Sequence, residues 1–269
     1  MTTATPAQRA VRGPFSDRLL GVGGILAFLL LLELIPRSGV VDPAYFPPLS
    51  SMLAGLFAQF GQAAFWSAFG STLLGWFLGL LIAVLLALVL GIVIGSLPLV
   101  REFSESTIEF LRPIPSVALI PIAVILFGNQ MQSTLILVVY AAFWQMLVQV
   151  IAGVQDVDPV AHDTARSFRF SARTRVFRII LPSALPFMMT GFRLAAAIAL
   201  ILELTGEFIM GSPGIGKIVA VAYSSGDTAT MYGLVLLTGV LGVLVNVGTR
   251  LVDRLLLSWH PSVRLEIAA

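Results

Sequence analysis

Cysteine is absent from the 269 residues, lysine occurs once, histidine twice, and Asp, Glu, Lys and Arg together make up only 11% of the chain. Without cysteine there is no disulfide framework, no thiolate nucleophile and no Cys-ligated metal. The two histidines, His162 and His260, and the lack of any G-x-S-x-G or H-E-x-x-H run argue against a membrane hydrolase or metalloprotease. Charge is scarce against the roughly 25% of soluble domains, which excludes a soluble globular protein and a nucleic-acid-binding domain. What fills the sequence instead is apolar: 58% of residues are hydrophobic and the mean hydropathy is +0.97.

The apolar residues fall in long uncharged runs. A bilayer core about 30 Å thick needs roughly 20 residues of helix to cross it. Six spans are expected, within 19–35, 73–97, 114–127, 132–152, 187–210 and 231–257. The third and fourth divide a run from Pro113 to Gln155 that carries no Asp, Glu, Lys or Arg and is cut at Gly128-Asn129-Gln130. A short interfacial helix is expected between Phe46 and Gln62. The first span is read as retained, because Ile35-Pro36-Arg37-Ser38 offers no small-residue cleavage site.

Orientation follows from the arginines. With the N-terminus inside, Arg9, Arg12, Arg18, Arg101, Arg112, Arg166, Arg169, Arg173, Arg175, Arg178, Arg250, Arg254 and Arg264 face the cytoplasm, and only Arg37 and Lys217 lie outside. That asymmetry predicts an all-α membrane protein with six transmembrane helices and both termini inside.

Gly211-Ser212-Pro213-Gly214-Ile215-Gly216-Lys217 matches the G-x-x-x-x-G-K part of a phosphate-binding loop, but Ile218 stands where a Ser or Thr would hold Mg²⁺. It also follows a membrane helix rather than a strand, so a Gly/Pro turn is the expectation. Glu203 and Glu207, one helical turn apart on the fifth span, should face the bundle interior, either as a wall of a solute path or as helix-to-helix hydrogen bonds. Arg193 lies about 15 Å along the helix from Glu203, too far to pair with it, and is expected to snorkel. Trp144, Gln145 and Gln149 on the fourth span and Asn246 on the sixth are further candidates for a polar path. Gly75-x-x-x-Gly79 and Gly91-x-x-x-Gly95 read as close-packing faces.

The segment Ile151–Pro182 is the longest inside loop. Asp158-Pro159 is a good helix start, and the loop reads as two short helices joined near Arg169–Ser171, the second amphipathic and stopped by Pro182 and Pro186.

At this loop the sequence resembles the permease subunits of ABC importers, whose signature is E-A-A, three residues, Gly, nine residues and I-x-L-P. Asp163-Thr164-Ala165 stands for E-A-A, Arg169 falls where the Gly belongs, and Ile179-Ile180-Leu181-Pro182 closes the motif. Arg112-Pro113-Ile114-Pro115, Leu181-Pro-Ser-Ala-Leu-Pro186 with Gly191-Phe192-Arg193, and Glu207 before Gly214-Ile215-Gly216 are in the style of the nitrate/sulfonate/taurine branch. The resemblance implies a permease core over 63–259, preceded by a cytoplasmic tail, first span and external segment over 1–62 and followed by a cytoplasmic tail over 260–269. It implies that Asp163, Thr164, Ala165, Arg166, Ser167, Phe168, Arg169, Phe170 and Ser171 dock on a cytosolic ATPase dimer, which alone binds ATP and Mg²⁺. No cofactor is expected on this chain. The other implied partners are a second permease copy, an extracytoplasmic solute-binding protein and the lipids of a bacterial cytoplasmic membrane. The implied cargo is a small anion or zwitterion, with a neutral pyrimidine-like solute as the alternative. An ion-coupled secondary transporter is the rival class, although no internal repeat supports it.

Overall fold

The computed structural model describes residues 14–257, so the expected tails before Pro14 and after Leu257 lie outside the described residues. Those residues form helices and no strand. In chain order they are α1 (Pro14–Arg37), α2 (Leu49–Phe60), α3 (Ala63–Ser96), α4 (Pro98–Leu111), α5 (Ile120–Phe127), α6 (Met131–Gln155), α7 (Pro159–Ser167), α8 (Ala172–Arg175), α9 (Leu181–Met210), α10 (Ile215–Ser225) and α11 (Thr228–Leu256).

Five stretches are long and apolar enough to cross a bilayer: Leu20–Arg37, Ala63–Ser96, Met131–Gln155, Ala172–Met210 and Thr228–Leu256. A sixth crossing requires α4 and the Ser116–Phe127 segment to count as one broken span, bent by 83°. The span expected over 114–127 is therefore corrected. It consists of a 3₁₀ turn over Ser116–Leu119 and the eight residues of α5, about 12 Å of helix at 1.5 Å per residue and too short to cross alone. Pro113 and Pro115 break the helix between α4 and this turn.

α3, α6 and α9 form the centre of the bundle. Leu80, Ala83 and Ala87 of α3, Leu137, Val138, Leu147 and Val150 of α6, and Ala184, Ala195, Ala196 and Ala199 of α9 share one buried cluster. Small residues let the backbones approach. A methyl group on Gly79 would collide with Val138, one on Gly91 would lie 2.6 Å from Val150, and one on Gly95 would lie 2.8 Å from Val154. Gly79, Gly91 and Gly95 thus pack α3 against α6, whereas Gly75, the first glycine of its pair, faces Glu203 of α9. On the other side, α2 packs against α11, where Gly55 sits under Thr230 and Gly233 under Met52 and Leu56. Outer faces such as Leu85, Val89 and Val93 stay exposed, as side chains meant for lipid should.

A second correction concerns Pro182. The helix expected to stop there runs on: α8 passes through a π turn over Val176–Ile180 directly into α9. Leu181 N–H donates to Val176 O, five residues back, so the π turn already interrupts the i→i−4 ladder where Pro182 lacks its N–H. Pro186 lies inside α9 without ending it.

Candidate functional site

Two regions carry the chemistry. One is a buried carboxylate cluster between α3, α6, α9 and α10, near the end of the bundle opposite the α6–α9 loop; the other is that loop itself.

Glu203 and Glu207 are 1% and 0% exposed. One turn apart on α9, they point to the same side, toward α3. Thr72 of α3 donates its hydroxyl to Glu207 Oε1 at 2.7 Å, and Gly216 N–H donates to Oε2 at 2.8 Å. Ile215 N–H in turn donates to Thr72 Oγ1 at 2.9 Å. The carboxylate therefore sits on the first amides of α10, the position where helix N-termini accept anions. That is the physical content of the G-x-x-x-x-G-K turn. Gly211 ends α9 in the left-handed region at φ 69°, and a side chain on Gly214 would collide with the Glu207 carboxylate. Among the described residues the turn closes on the chain's own Glu207, while Lys217 points outward, exposed. Glu203 is less completely held. Thr134 of α6 donates to its Oε1 at 3.4 Å, Oε2 has no partner, and Gly75 of α3 leaves the space in which the carboxylate lies.

The other expected path residues divide. Trp144, Gln145 and Gln149 lie along α6. Trp144 is 8% exposed, its Nε1 has no acceptor, and with Tyr140, Phe143, Leu86 and Leu90 it lines an apolar cavity of about 490 Å³ between α3 and α6. Gln145 is half-buried, and Gln149 packs over Gly191 of α9. Asn246 is not brought to them: it lies on an exposed stretch of α11. Arg193 also departs from expectation. Its guanidinium pairs with Asp253 near the end of α11, so it ties α9 to α11 instead of only reaching for the interface. Sequence reasoning missed Thr72, Thr134 and Asp253. Hydroxyls within apolar spans were the available signal for the first two.

The α6–α9 loop is built as two short helices. Asp158 Oδ1 accepts from Val160 N–H at 2.8 Å and starts α7. Ser171 Oγ accepts from Thr174 N–H at 3.2 Å and starts α8. Between them Phe170 N–H donates to Ala165 O at 2.9 Å across Arg169, whose φ is +52°. This is the Schellman closure of a helix, with Arg at the left-handed position that glycine usually fills. The turn expected of a Gly is kept with an Arg in it, at a backbone cost of about 1–2 kcal/mol. Asp163, Thr164, Ser167, Phe168, Arg169, Phe170 and Ser171 are exposed, Ala165 is buried at 2%, and α7 carries Arg166.

A bundle of long apolar helices on tightly packed glycine faces, with an exposed two-helix loop at one end, defines a multi-pass membrane permease. Residues 83–258 match the family described as the binding-protein-dependent transport system inner membrane component, and the chain belongs to that family. It is a transport subunit and not an enzyme. It is 28% identical to the taurine transport system permease protein TauC of Escherichia coli over 94% of both chains. It is 27% identical to the bicarbonate transport system permease protein CmpB of Synechocystis over 94% of both. It is 29% identical to the putative aliphatic sulfonates transport permease protein SsuC of Escherichia coli over 61% of this chain and 62% of the relative. The fold is shared with an inward-facing MetNI methionine ABC transporter, at a TM-score of 0.62 and 16% identity, covering 71% of this chain and 95% of that one.

Proposed function

We propose that the chain is the permease subunit of an ATP-driven importer for a small anion or zwitterion of the sulfonate, taurine, bicarbonate or nitrate kind. Its energy comes from a separate cytosolic ATPase dimer that grips residues 163–171. The observation that carries this reading is the exposed α7–turn–α8 unit. Its two helices are capped by Asp158 and Ser171, and α8 is continuous through α9 with the Glu207 cluster at the far end of the bundle. An ATPase can shift the permease between states only through contacts that differ between them. A helix running from the loop to the core is an adequate lever for that.

In this reading the N-terminus and the loop are cytoplasmic, two copies enclose the path, and a solute-binding protein loads the opposite face. ATP and Mg²⁺ belong to the ATPase. Trp144, Gln145 and Gln149 supply neutral donors to the path, suited to sulfonate or carboxylate oxygens without trapping them as a fixed cation would. Glu207 serves as a clasp that holds the α10 turn against α3 and α9, with Glu203 beside it.

Reconstitution in proteoliposomes with the ATPase and binding protein tests the proposal. ATP-driven uptake of taurine or another sulfonate is expected, and Phe168→Asp, which changes a 71% exposed side chain of the loop, should abolish it while leaving the permease folded. Concentrative uptake without the ATPase, driven by an imposed ion gradient, would instead favour an ion-coupled carrier.

A further inference from the structure

Arg169 is the single non-glycine residue with positive φ among the described residues. It occupies the apex of the α7–α8 turn, where glycine would relax the backbone. Strain of this kind persists where the side chain has work to do, yet among the described residues this side chain makes no hydrogen bond or ion pair. It is exposed. The ion pairs among the described residues, Arg37 with Glu33 and Arg193 with Asp253, both lie outside the loop. From Arg166 to Pro182 the sequence carries five arginines and no carboxylate, so no neighbour along this stretch could neutralise it. Phe168 and Phe170 flank it, 71% and 45% exposed, with ring centroids 6.3 Å apart.

The patch thus combines two neighbouring exposed rings with the guanidinium of the residue between them in the chain. Its complement is an apolar cleft with a carboxylate at the point the apex reaches.

We propose that Arg169 is a partner-selecting residue. It forms a forked ion pair with a carboxylate in the cleft of the cytosolic ATPase, so that this permease couples to an ATPase with that acidic group and discriminates against one without it. The planar guanidinium suits a carboxylate in a bidentate arrangement that lysine does not reproduce. The inference rests on the proposed docking of residues 163–171, which it refines.

The test uses the full-length chain in nanodiscs and the cytosolic ATPase that co-purifies with it. Binding is measured for wild type, Arg169→Gly, Arg169→Lys and, as a loop control, Ala165→Arg. Because glycine suits φ +52°, Arg169→Gly keeps the turn. It should weaken binding tenfold or more near 0.15 M salt, with the difference shrinking near 1 M, where charges are screened within about 3 Å. Arg169→Lys should fall between. Equal or tighter binding by Arg169→Gly, with Ala165→Arg disruptive, overturns the role of Arg169 alone. If both variants bind as wild type, or no ATPase co-purifies, the docking assignment falls with it.

Discussion

Replacing Glu207 separates a structural clasp from a charge that solute must meet. The carboxylate accepts two hydrogen bonds in a site with no exposure, from Thr72 and from Gly216 N–H. Glutamine can reproduce both. Its amide oxygen accepts from Gly216, its NH₂ donates to Thr72 Oγ1, and the threonine hydrogen turns to Ala68 O, 3.2 Å away. The expected loss for Glu207→Gln is within about 1 kcal/mol. Alanine can reproduce neither. It leaves the buried Gly216 N–H unpaired at about 1–3 kcal/mol, while Thr72 can turn to Ala68 O, and it opens a cavity where the side chain lay, so a loss near 3 kcal/mol is expected, roughly 6–12 °C in thermal midpoint at this chain size. Thermal unfolding of the purified protein, paired with uptake in proteoliposomes, reads both effects. A glutamine variant that is fully folded yet inactive would refute the clasp and assign the charge itself to transport. An alanine variant as stable as wild type would show that the cluster holds nothing together.

Three further outcomes follow from the packing. Gly216→Ala places a methyl group 2.5 Å from Leu204 O and 2.8 Å from Phe208 N. Because backbone cannot step aside, a loss of about 1–3 kcal/mol is expected in thermal unfolding, whereas Gly248→Ala, with open space around it, should be neutral. Removing Arg193 by Arg193→Ala strands Asp253, 7% exposed with Oδ1 already unpartnered. It should therefore destabilise more than Asp253→Ala, and the double variant should recover part of the loss; additive losses would deny the pair. Asp158→Ala removes the side-chain bond to Val160 N–H and should fray α7 by about 1 kcal/mol, seen as faster amide exchange over 160–164 with the transmembrane helices unchanged.

Much of the bundle was legible because a bilayer imposes length and composition on any helix that crosses it. The runs at 19–35, 132–152 and 187–210 fall within a helix, and those at 73–97 and 231–257 end one residue past α3 and α11. The third span is a bent pair and not one straight helix, because hydropathy counts side chains and is blind to direction: Pro113–Gln130 carries no charge, yet α4 and the Ser116–Phe127 segment on either side of Pro113 and Pro115 are bent by 83°. Pro182 misled for the related reason that a π turn already interrupts the i→i−4 ladder where the proline lacks its N–H. At the candidate site the sequence announced Glu203 and Glu207 as two carboxylates in an apolar run. It could not announce Thr72, 135 residues from Glu207 in the chain, because that pairing depends on the register between α3 and α9. The loop was the most readable part, since its caps at Asp158 and Ser171 are local.

The absence of cysteine makes the central claim directly measurable. A single Phe168→Cys variant, labelled through its thiol with a short cross-linker whose other end is photoactivatable and inserts into neighbouring C–H or N–H bonds, is placed in proteoliposomes with the ATPase and the binding protein, beside a Lys217→Cys control at the other end of the bundle. Phe168→Cys is expected to join covalently to the ATPase, with a yield that changes when ATP is added, and Lys217→Cys is not. Cross-linking at position 217 with none at 168 would contradict it.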